Sequence, residues 1–534
     1  MFDAPHLAPR AANRAPLTPL DLLDKTVADR PGETAVLFGD DRYTWAEVDA
    51  AVQRMAEGLA AQGVRRGDVV SVLAGNRPEM IIAHFAVPLL GAVLNTINTR
   101  LDAEAVRYIL DHSGAKVVLA DAACAPLAAE VAGDRPFLVF DGAPAAGAPF
   151  EVMRGPLPEA RRDWREAITD EAQPIALNYT SGTTGNPKGV VLHHRGAWQN
   201  AMGNRSSLGF GPGTVYLWTL PLFHCNGWCH GWAVTAAGGV HVCLDGVNPE
   251  AIFEAIARHG VTDLACAPVV LYMLLDHPAR ESRNAESPRV MVGTGGAAPT
   301  TSLIESMGTI GFDLTHLYGL TECYGPCTIN PLPPDMAGAS VADKARYLAS
   351  QGRPHATVPA LRVIDETGAD VPADGESQGE IVLRGNTIMS GYLKNPEATE
   401  AAFEGGWFRT GDIAVMGPDG RIHIRDRAKD VIITGGENVS SLEIEEMLHR
   451  HPAVALAAVV AAPHPRWGET PCAFVEAREP LEAAELEAFC REHLAGFKRP
   501  RRFVFGEIPK TATGKVQKFL LREAAADLAR DDET

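Results

Sequence analysis

Residues 180–189 read Thr180-Ser181-Gly182-Thr183-Thr184-Gly185-Asn186-Pro187-Lys188-Gly189, and they are the strongest single indicator of structure in this chain. Three glycines let the backbone approach a ligand closely, four hydroxyls can donate hydrogen bonds, and Lys188 adds a positive charge. This combination predicts a phosphate cradle. It is not a Walker loop, because no Gly-Lys-Ser/Thr ends it at the required spacing. The alternative is a flexible Ser/Gly loop, although such linkers seldom place a proline and a lysine so specifically.

Around this segment the chain alternates helix-like and strand-like patterns. Thr44-Trp45-Ala46-Glu47 has the form of a capping box, and the apolar residues that follow lie on one helical face. The apolar runs 69–73 and 117–120 predict strands. Because this alternation recurs to about residue 330, we predict a layered α/β architecture with largely parallel sheets.

The pattern changes in the last third of the chain. From about 360 to 430, short β-rich runs such as 361–364 and 380–383 are separated by Gly, Asp and Pro turns, which predicts a small barrel or mixed sheet. The last hundred residues mix helices with strands such as 457–460, and they predict a separate small α+β domain.

Bulk properties exclude several classes of protein. The 534 residues suffice for three or four domain-sized units, and a net charge of −19 argues against nucleic-acid or anionic-membrane partners. Nine scattered cysteines do not indicate a disulfide framework. The N-terminus shows no secretory signal and no stretch reaches 18 apolar residues, so we expect a cytoplasmic protein without membrane insertion.

Five motifs occur in a fixed order along nearly the whole chain, from about residue 20 to 520. They are 180–189, Tyr318-Gly319-Leu320-Thr321-Glu322, Trp407-Phe408-Arg409-Thr410-Gly411-Asp412, Arg427-Ala428-Lys429-Asp430 and Pro509-Lys510-Thr511-Ala512-Thr513-Gly514-Lys515. Together they resemble the signatures of the adenylate-forming (ANL) superfamily, and in particular its acyl-CoA synthetases.

The resemblance implies both a fold and a reaction. A large N-terminal domain (1–428) would include a β-rich subdomain at about 360–428, and a small mobile α+β lid (429–534) would rotate about a hinge at Lys429. The implied reaction depends on ATP and Mg²⁺. A carboxylic acid and ATP form an acyl adenylate and pyrophosphate, and coenzyme A then takes the acyl group as a thioester.

The resemblance also implies an ATP site in which cations offset the repulsion between a carboxylate and the α-phosphate. Glu322 would bind Mg²⁺, Tyr318 would pack on the adenine, and Asp412 could accept hydrogen bonds from both ribose hydroxyls. Taken alone, Asp412 or Arg427 would be an ordinary turn or surface residue. The implied ATP-binding residues are Thr180, Ser181, Gly182, Thr183, Thr184, Gly185, Lys188, Gly296, Ala297, Ala298, Tyr318, Gly319, Thr321, Asp412 and Arg427.

The C-terminal segment would supply the catalytic residue Lys515, which in the family bridges the carboxylate and the α-phosphate during adenylation. In isolation Lys515 would be a solvated surface lysine. The implied coenzyme A contacts are Gly435, Gly436, Glu437 and Arg499. Arg499 belongs to a basic cluster at 498–502, for which an ordinary solvated charge run is an equal alternative.

Two further segments, 221–228 and 295–299, match those that line the acid pocket of the family. The implied acid-binding residues are His224, Trp228, Gly295 and Gly296. Trp228 is bulky where long-chain enzymes need an open tunnel, so we expect a short or medium acid; plain core packing of Trp228 is the alternative. The local sequence resembles short/medium-chain fatty acid–CoA ligases and methylmercaptopropionate–CoA ligases.

Several alternatives remain open at this point. Cys225, Cys229, Cys323 and Cys327 are spaced unlike a usual zinc site, so buried free thiols are the favoured interpretation. Rival functions are the loading of a separate carrier protein, a luciferase-like oxygenase, and an inactive scaffold. The expected partners are a small-molecule acid, ATP and coenzyme A, and a homodimer is the one assembly considered.

Overall fold

The structure is a computed structural model that describes residues 4–8, 10–140, 147–180, 187–296, 299–336, 338–358, 360–434, 437–510 and 516–531. It confirms the predicted α/β class, with a large N-terminal part, several sheets and a small C-terminal domain. Strands are numbered below in chain order.

The first sheet has parallel central strands and antiparallel edges. From edge to edge it contains β16 (Arg353–Pro354), β15 (Gly325–Asn330), β14 (Phe312–Leu320), β13 (Val290–Thr294), β12 (Asp263–Cys266), β10 (Val215–Leu217), β11 (Val240–Cys243), β1 (Thr34–Phe38) and β2 (Asp41–Thr44).

The second sheet is likewise parallel except at the edge formed by β8, β9 and β19. Its order is β19 (Gly391–Tyr392), β9 (Lys188–His193), β8 (Pro174–Thr180), β4 (Val93–Thr96), β3 (Val69–Leu73), β5 (Ala115–Ala120), β6 (Phe137–Val139) and β7 (Ala148–Pro149).

The β-rich segment forms an antiparallel four-stranded sheet of β17 (Ala360–Ile364), β18 (Gln378–Arg384), β20 (Phe408–Met416) and β21 (Ile422–Arg427). The C-terminal sheet contains β23 (Glu437–Val439), β22 (Ile432–Thr434), β25 (Gly468–Ala477) and β24 (Val454–His464), with β26 (Arg502–Phe505) parallel to β25.

Helices cover the sheets, as apolar faces of both elements require. The α-helices are Pro19–Asp29, Trp45–Ala61, Pro78–Leu89, Ala103–Ser113, Ala125–Val131, Trp164–Ala167, His194–Leu208, His230–Ala237, Pro249–His259, Pro268–Asp276, Thr301–Thr309, Val341–Leu348, Pro396–Ala402, Ser441–Leu448, Ala483–His493 and Lys518–Asp531.

Local signals in the sequence are reproduced where they are strongest. The Thr44 side chain accepts from the Glu47 N–H, and a Glu47 carboxylate oxygen accepts from the Thr44 N–H at 2.7 Å, so the capping box forms and starts Trp45–Ala61. Strand β3 has the predicted bounds. Among the described residues, no helix is both long and apolar enough to cross a membrane.

The buried apolar residues of the C-terminal segment form their own cores. One cluster runs from Ile432 to Leu494 in sequence and a second from Ala458 to Ala525, and neither contains a buried residue from before Ile432. Ile422, in β21, still belongs to the core of the large domain. The change of core therefore falls between Ile422 and Ile432.

Candidate active site

The phosphate-cradle segment joins two antiparallel strands of the second sheet. Thr180 ends β8 and is the register partner of Lys188, which begins β9. The predicted ATP-binding residues between them, Ser181, Gly182, Thr183, Thr184 and Gly185, lie outside the described residues. Ala297, Ala298, Gly435, Gly436 and Lys515 also lie outside them.

Lys188 and the predicted magnesium ligand Glu322 both contact Tyr392, an aromatic residue that the sequence analysis did not single out. The Lys188 Nζ lies 4.8 Å from the centroid of the Tyr392 ring, and the Tyr392 hydroxyl donates to Glu322 Oε1 at 2.9 Å. Burial and the neighbouring Glu322 carboxylate hold the pKa of Tyr392 above its usual range, so the phenol stays a donor. Tyr392 is positioned by its pairing with Val190 on β9.

A second group contains three predicted nucleotide-binding residues from separate segments. Asp412 on β20 and Arg427 on β21 are register partners, and Arg427 Nε donates to Asp412 Oδ1 at 2.9 Å. The Tyr318 hydroxyl donates to Asp412 Oδ2 at 2.6 Å. Burial, with Asp412 beside it, keeps the pKa of Tyr318 well above its ordinary value. Since a carboxylate has about four lone-pair sites, Asp412 retains capacity for ribose hydroxyls.

Tight backbone contact shapes the turn that carries Thr321 and Glu322. A Cβ built on Gly319 would lie 1.9 Å from the Gly325 carbonyl oxygen, so only glycine fits there. The Thr321 hydroxyl lies 3.2 Å from the Cys225 Sγ, which joins the nucleotide motif to the acid-pocket segment. Burial raises the pKa of the Cys225 thiol to about 12, so the thiol stays protonated.

The acid-pocket segment adopts a backbone conformation that the sequence analysis did not foresee. Residues 225–229 have five consecutive positive φ values, 42°, 43°, 59°, 54° and 61°. For a residue other than glycine this left-handed conformation costs about 1–2 kcal/mol, and it persists only where surrounding contacts impose it.

Buried amides supply those contacts. The Asn226 N–H donates to Asn178 Oδ1 at 3.3 Å, and Asn178 Nδ2 donates to Asn226 Oδ1. Asn204 Nδ2 donates to the Trp228 carbonyl at 2.8 Å. Such a strained, fully supported turn is typical of functional sites and sets the direction of the Trp228 side chain.

Trp228 contacts the second predicted acid-pocket segment. Its side chain is nearly buried, and a Cβ built on Gly295 would lie 3.0 Å from the Trp228 Cη2 and 2.7 Å from the Leu317 carbonyl oxygen. Gly296 has a φ of +87° and open space around it. His224 is half-buried immediately before the left-handed turn.

A small cavity lies next to His230, whose ring contacts the Trp228 indole. The ring of His230 makes an edge contact with Trp228 at a centroid distance of 6.0 Å. His230 also lines a cavity of about 70 Å³, together with Leu264, Val292 and Thr315. Trp228 therefore contacts both Gly295 and His230, and His230 separates it from this cavity.

Other predicted residues lie in the C-terminal segment. Lys429 follows β21, and Glu437 is exposed at the start of β23. Arg499 Nε donates to the Leu494 carbonyl at 2.9 Å, and its Nη2 donates to the Arg491 carbonyl at 3.2 Å. The structure thus shows Arg499 bound to the end of helix Ala483–His493.

The cysteines carry free thiols. Cys225, Cys229, Cys323 and Cys327 are buried, and Cys323 and Cys229 bond to backbone carbonyls of the 320–325 turn. No three His, Cys, Asp or Glu side chains within the described ranges are grouped to hold a metal ion.

Comparisons with known proteins show which family the chain resembles along its length. Residues 23–393 match the family model described as AMP-binding enzyme, and residues 443–515 match the AMP-binding enzyme C-terminal domain. The chain is 43% identical to acetate/butyrate–CoA ligase AAE7, peroxisomal, of Arabidopsis thaliana, over 97% of this chain and 96% of that protein. It is 40% identical to benzoate–CoA ligase, peroxisomal, of the same plant, over 98% and 95%.

A solved structure extends the similarity to the fold. The o-succinylbenzoate coenzyme A synthetase of Bacillus subtilis, in complex with ATP and magnesium ion, superposes with a TM-score of 0.80 at 30% identity, covering 94% of this chain and 98% of that one. The same enzyme in complex with its acyl-adenylate intermediate gives a TM-score of 0.82 at 30% identity, covering 94% and 97%.

These relatives correct one expectation from sequence. The prediction of a cytoplasmic protein is wrong, because relatives similar along nearly the whole chain, including AAE7, are peroxisomal. Net charge bears on the surfaces that a chain avoids and does not fix the compartment to which it is delivered. With a family model that matches well over half of its residues, the chain belongs to the AMP-binding enzymes and, among them, is an acyl-CoA synthetase, an AMP-forming acid–thiol ligase.

Proposed function

We propose that this enzyme activates a short- or medium-chain carboxylic acid in two steps at one site. A carboxylate oxygen attacks the α-phosphorus of ATP, so that an acyl–phosphate bond forms and pyrophosphate leaves. The thiol of coenzyme A then attacks the acyl carbonyl, a carbon–sulfur bond forms, and AMP leaves. The observation that carries this proposal is the convergence of Tyr318 and Arg427 on the buried carboxylate of Asp412, which brings residues of three separate motifs together.

We assign the magnesium ion to Glu322. Glu322 is half-buried, its carboxylate accepts a hydrogen bond from the Tyr392 hydroxyl, and Lys188 lies over the ring of the same tyrosine. Mg²⁺ is usually held by one or two carboxylates together with substrate phosphates, so a single hard oxygen ligand fits it. When bound, the ion neutralises charge on the phosphates.

We assign the remaining residues by the motifs they belong to. Lys188 and Thr180 flank the triphosphate cradle, and Thr321 would hold a phosphate oxygen. The division into 1–428 and 429–534, with a hinge at Lys429, is supported by the change of core between Ile422 and Ile432. Glu437 and Arg499 would meet coenzyme A after rotation of the small domain.

The acid is proposed from the wall that Trp228 forms. Its indole lies against Gly295 and makes an edge contact with the ring of His230, and an indole in this position would limit the depth available to an acyl chain. The relatives that act on acetate or butyrate and on benzoate all take compact acids, which supports this limit. Within this class, a 3-methylmercaptopropionate-like acid is the narrower candidate from sequence.

The decisive experiment measures pyrophosphate release with and without coenzyme A. The acids are a C2–C10 series, branched acids, aryl acids and 3-methylmercaptopropionate. Acid-dependent pyrophosphate release with coenzyme A thioester as product supports the proposal. Release without transfer to coenzyme A would instead favour loading of a separate carrier protein, and no release with any acid would leave only a binding role.

The Trp228→Ala variant tests the wall. Each newly buried CH₂ contributes roughly 0.8 kcal/mol, so two or three methylenes should shift relative kcat/KM toward longer acids by about ten- to fiftyfold. Short acids should lose rate in the slack pocket. If Trp228 were only core, stability would fall by about 3–5 kcal/mol without a new chain-length preference. The matched control is Trp232→Phe, because Trp232 is fully buried in the adjacent helix His230–Ala237. Both variants are compared by kcat/KM across the C2–C10 acids and by Tm.

The Asp412→Asn variant tests the nucleotide site. An amide cannot accept from both Tyr318 and Arg427 as a carboxylate does, and it removes the counter-charge of Arg427. We expect kcat/KM for ATP to fall about ten- to hundredfold. The free energy of unfolding should fall by only about 1–3 kcal/mol, because solvent partly compensates the partly exposed Arg427. The measurements are ATP titration at saturating acid and Tm. A folded variant with unchanged kcat/KM for ATP would remove Asp412 from the site.

A further inference from the structure

The two sides of the proposed hinge are joined by one buried carboxylate. Asp426, the penultimate residue of β21, is 2% exposed. Its Oδ2 accepts from the Ser441 N–H at 2.6 Å, and its Oδ1 accepts from the Arg427 N–H at 2.8 Å. Ser441 is the first residue of helix Ser441–Leu448, which lies beyond Lys429. A side chain of the large domain therefore caps the first helix of the small one.

The same carboxylate faces the start of the last helix. Lys518 begins Lys518–Asp531, and its Nζ lies 2.7 Å from Glu445 Oε1 and 2.5 Å from the Ser441 hydroxyl. Glu445 Oε1 also accepts from the Val459 N–H at 2.7 Å. Burial raises the pKa of Asp426, while the charge of Lys518 and the N–H donors act in the opposite direction. The negative charge of Asp426 is thus offset by the helix N-terminus and by Lys518, a cation that it shares with the neighbouring Glu445 carboxylate.

The Asp426 carboxylate depends on its hydrogen-bond partners because it is buried, and a buried charge without partners is costly. The N-terminus of a helix carries a partial positive charge, and removing one partner of a buried charge is strongly destabilising. Rotation about Lys429 would carry Ser441 and Lys518 away from Asp426, since they lie on opposite sides of the hinge. The contact can therefore exist in only one pose of the small domain.

In the pose described here, two residues near the predicted coenzyme A contacts are exposed: Glu437 is exposed, and Ile433, in β22, is 54% exposed. In the transfer step the segment that contains Glu437 would have to approach the acyl adenylate. The pose held by Asp426 is consequently not the one used for thioester formation.

We infer that Asp426 is a positioning residue for the first half-reaction, because its carboxylate docks the small domain through the Ser441 N–H in the pose that precedes thioester formation. The inference rests on the proposed two-step function and on the hinge at Lys429. Lys518 follows Lys515 by three residues, so docking of Lys518 also restricts where Lys515 can reach.

The Ser441→Pro variant removes the N–H that Asp426 accepts with little effect on the helix. Proline is favoured at the first helical position, and Ser440 already has the extended conformation (φ −73°, ψ 123°) that a residue before proline requires. Val341→Pro is the matched control, because Val341 is also the first residue of an eight-residue helix capped by serine, far from the junction. Asp426→Asn keeps the acceptor and removes the charge.

Both half-reactions are measured separately in the full chain, as pyrophosphate release and as thioester formation from supplied acyl adenylate. We expect Ser441→Pro and Asp426→Asn to lower the ratio of adenylation to transfer by about tenfold or more, and Val341→Pro to leave it unchanged. Ser441→Ala, which keeps the N–H but loses the hydroxyl contact with Lys518, should have a smaller effect.

The position of the small domain relative to the large one is measured independently, as the distance between spin labels on cysteines introduced at the exposed positions Glu397 and Glu479. The distance distribution should broaden in Ser441→Pro and Asp426→Asn and stay narrow in Val341→Pro. Equal losses in both half-reactions, or an unchanged ratio with an unchanged distribution, would overturn the inference. A wild-type enzyme that forms no acyl adenylate would instead overturn the proposed function, so the two failures are distinguishable.

Discussion

Lys515→Ala is expected to lower the rate of acyl-adenylate formation about 100- to 1000-fold, the loss typical for a single charge-stabilising donor in an active site. The reason is that two anions, the carboxylate and the α-phosphate, meet in the first transition state, and the lysine offsets their repulsion only there. Thioester formation from supplied acyl adenylate should change much less, because its transition state no longer develops that charge.

The measurement is pyrophosphate release against thioester formation in the same preparations. Lys510→Ala is the matched control, because Lys510 lies in the same motif but forms an ion pair with Glu476 at 2.7 Å in the small domain. It should retain most of the adenylation rate. Equal losses in both half-reactions of Lys515→Ala would contradict the catalytic assignment.

Lys429→Pro is expected to have the opposite effect and to abolish most coenzyme A transfer while adenylation survives. Proline fixes φ near −65°, so a hinge residue that must change φ between poses loses that freedom. The turn around Lys429 is otherwise well defined, since the Asp430 N–H donates to the Arg427 carbonyl at 2.8 Å and the Val431 N–H donates to the same oxygen at 3.1 Å. A rotation of the small domain would therefore have to use the few backbone angles that these hydrogen bonds leave free.

Single-turnover measurements of each half-reaction test this expectation. Lys429→Ala removes the side chain but leaves φ free, and it should preserve transfer far better than Lys429→Pro. If Lys429→Pro turned over near the wild-type rate, the hinge would lie elsewhere. Loss of transfer in both variants would instead assign the effect to the lysine side chain.

Local structure and family membership can be predicted from the amino-acid sequence alone. The capping box at Thr44 and Glu47 and the strand Val69–Leu73 follow from short-range hydrogen bonding and apolar patterning, which neighbouring residues alone dictate. The five ordered motifs resemble those of the adenylate-forming superfamily, and the matches to the AMP-binding enzyme family confirm that resemblance. The compartment was not determined, and the expectation for it was wrong.

Which side chains stabilise the site depends on contacts between residues that are distant in sequence. Tyr392 reaches Glu322 across 70 positions, and Asp426 meets Ser441 across the change of core, so neither contact has a local signature. The left-handed turn at 225–229 is unfavourable for its own residues and exists because Asn178 and Asn204, far away in sequence, bond to it. At 225–229, contacts with residues distant in sequence outweigh the local preference of the backbone for negative φ. The pattern of neighbouring residues in the sequence does not reveal such contacts.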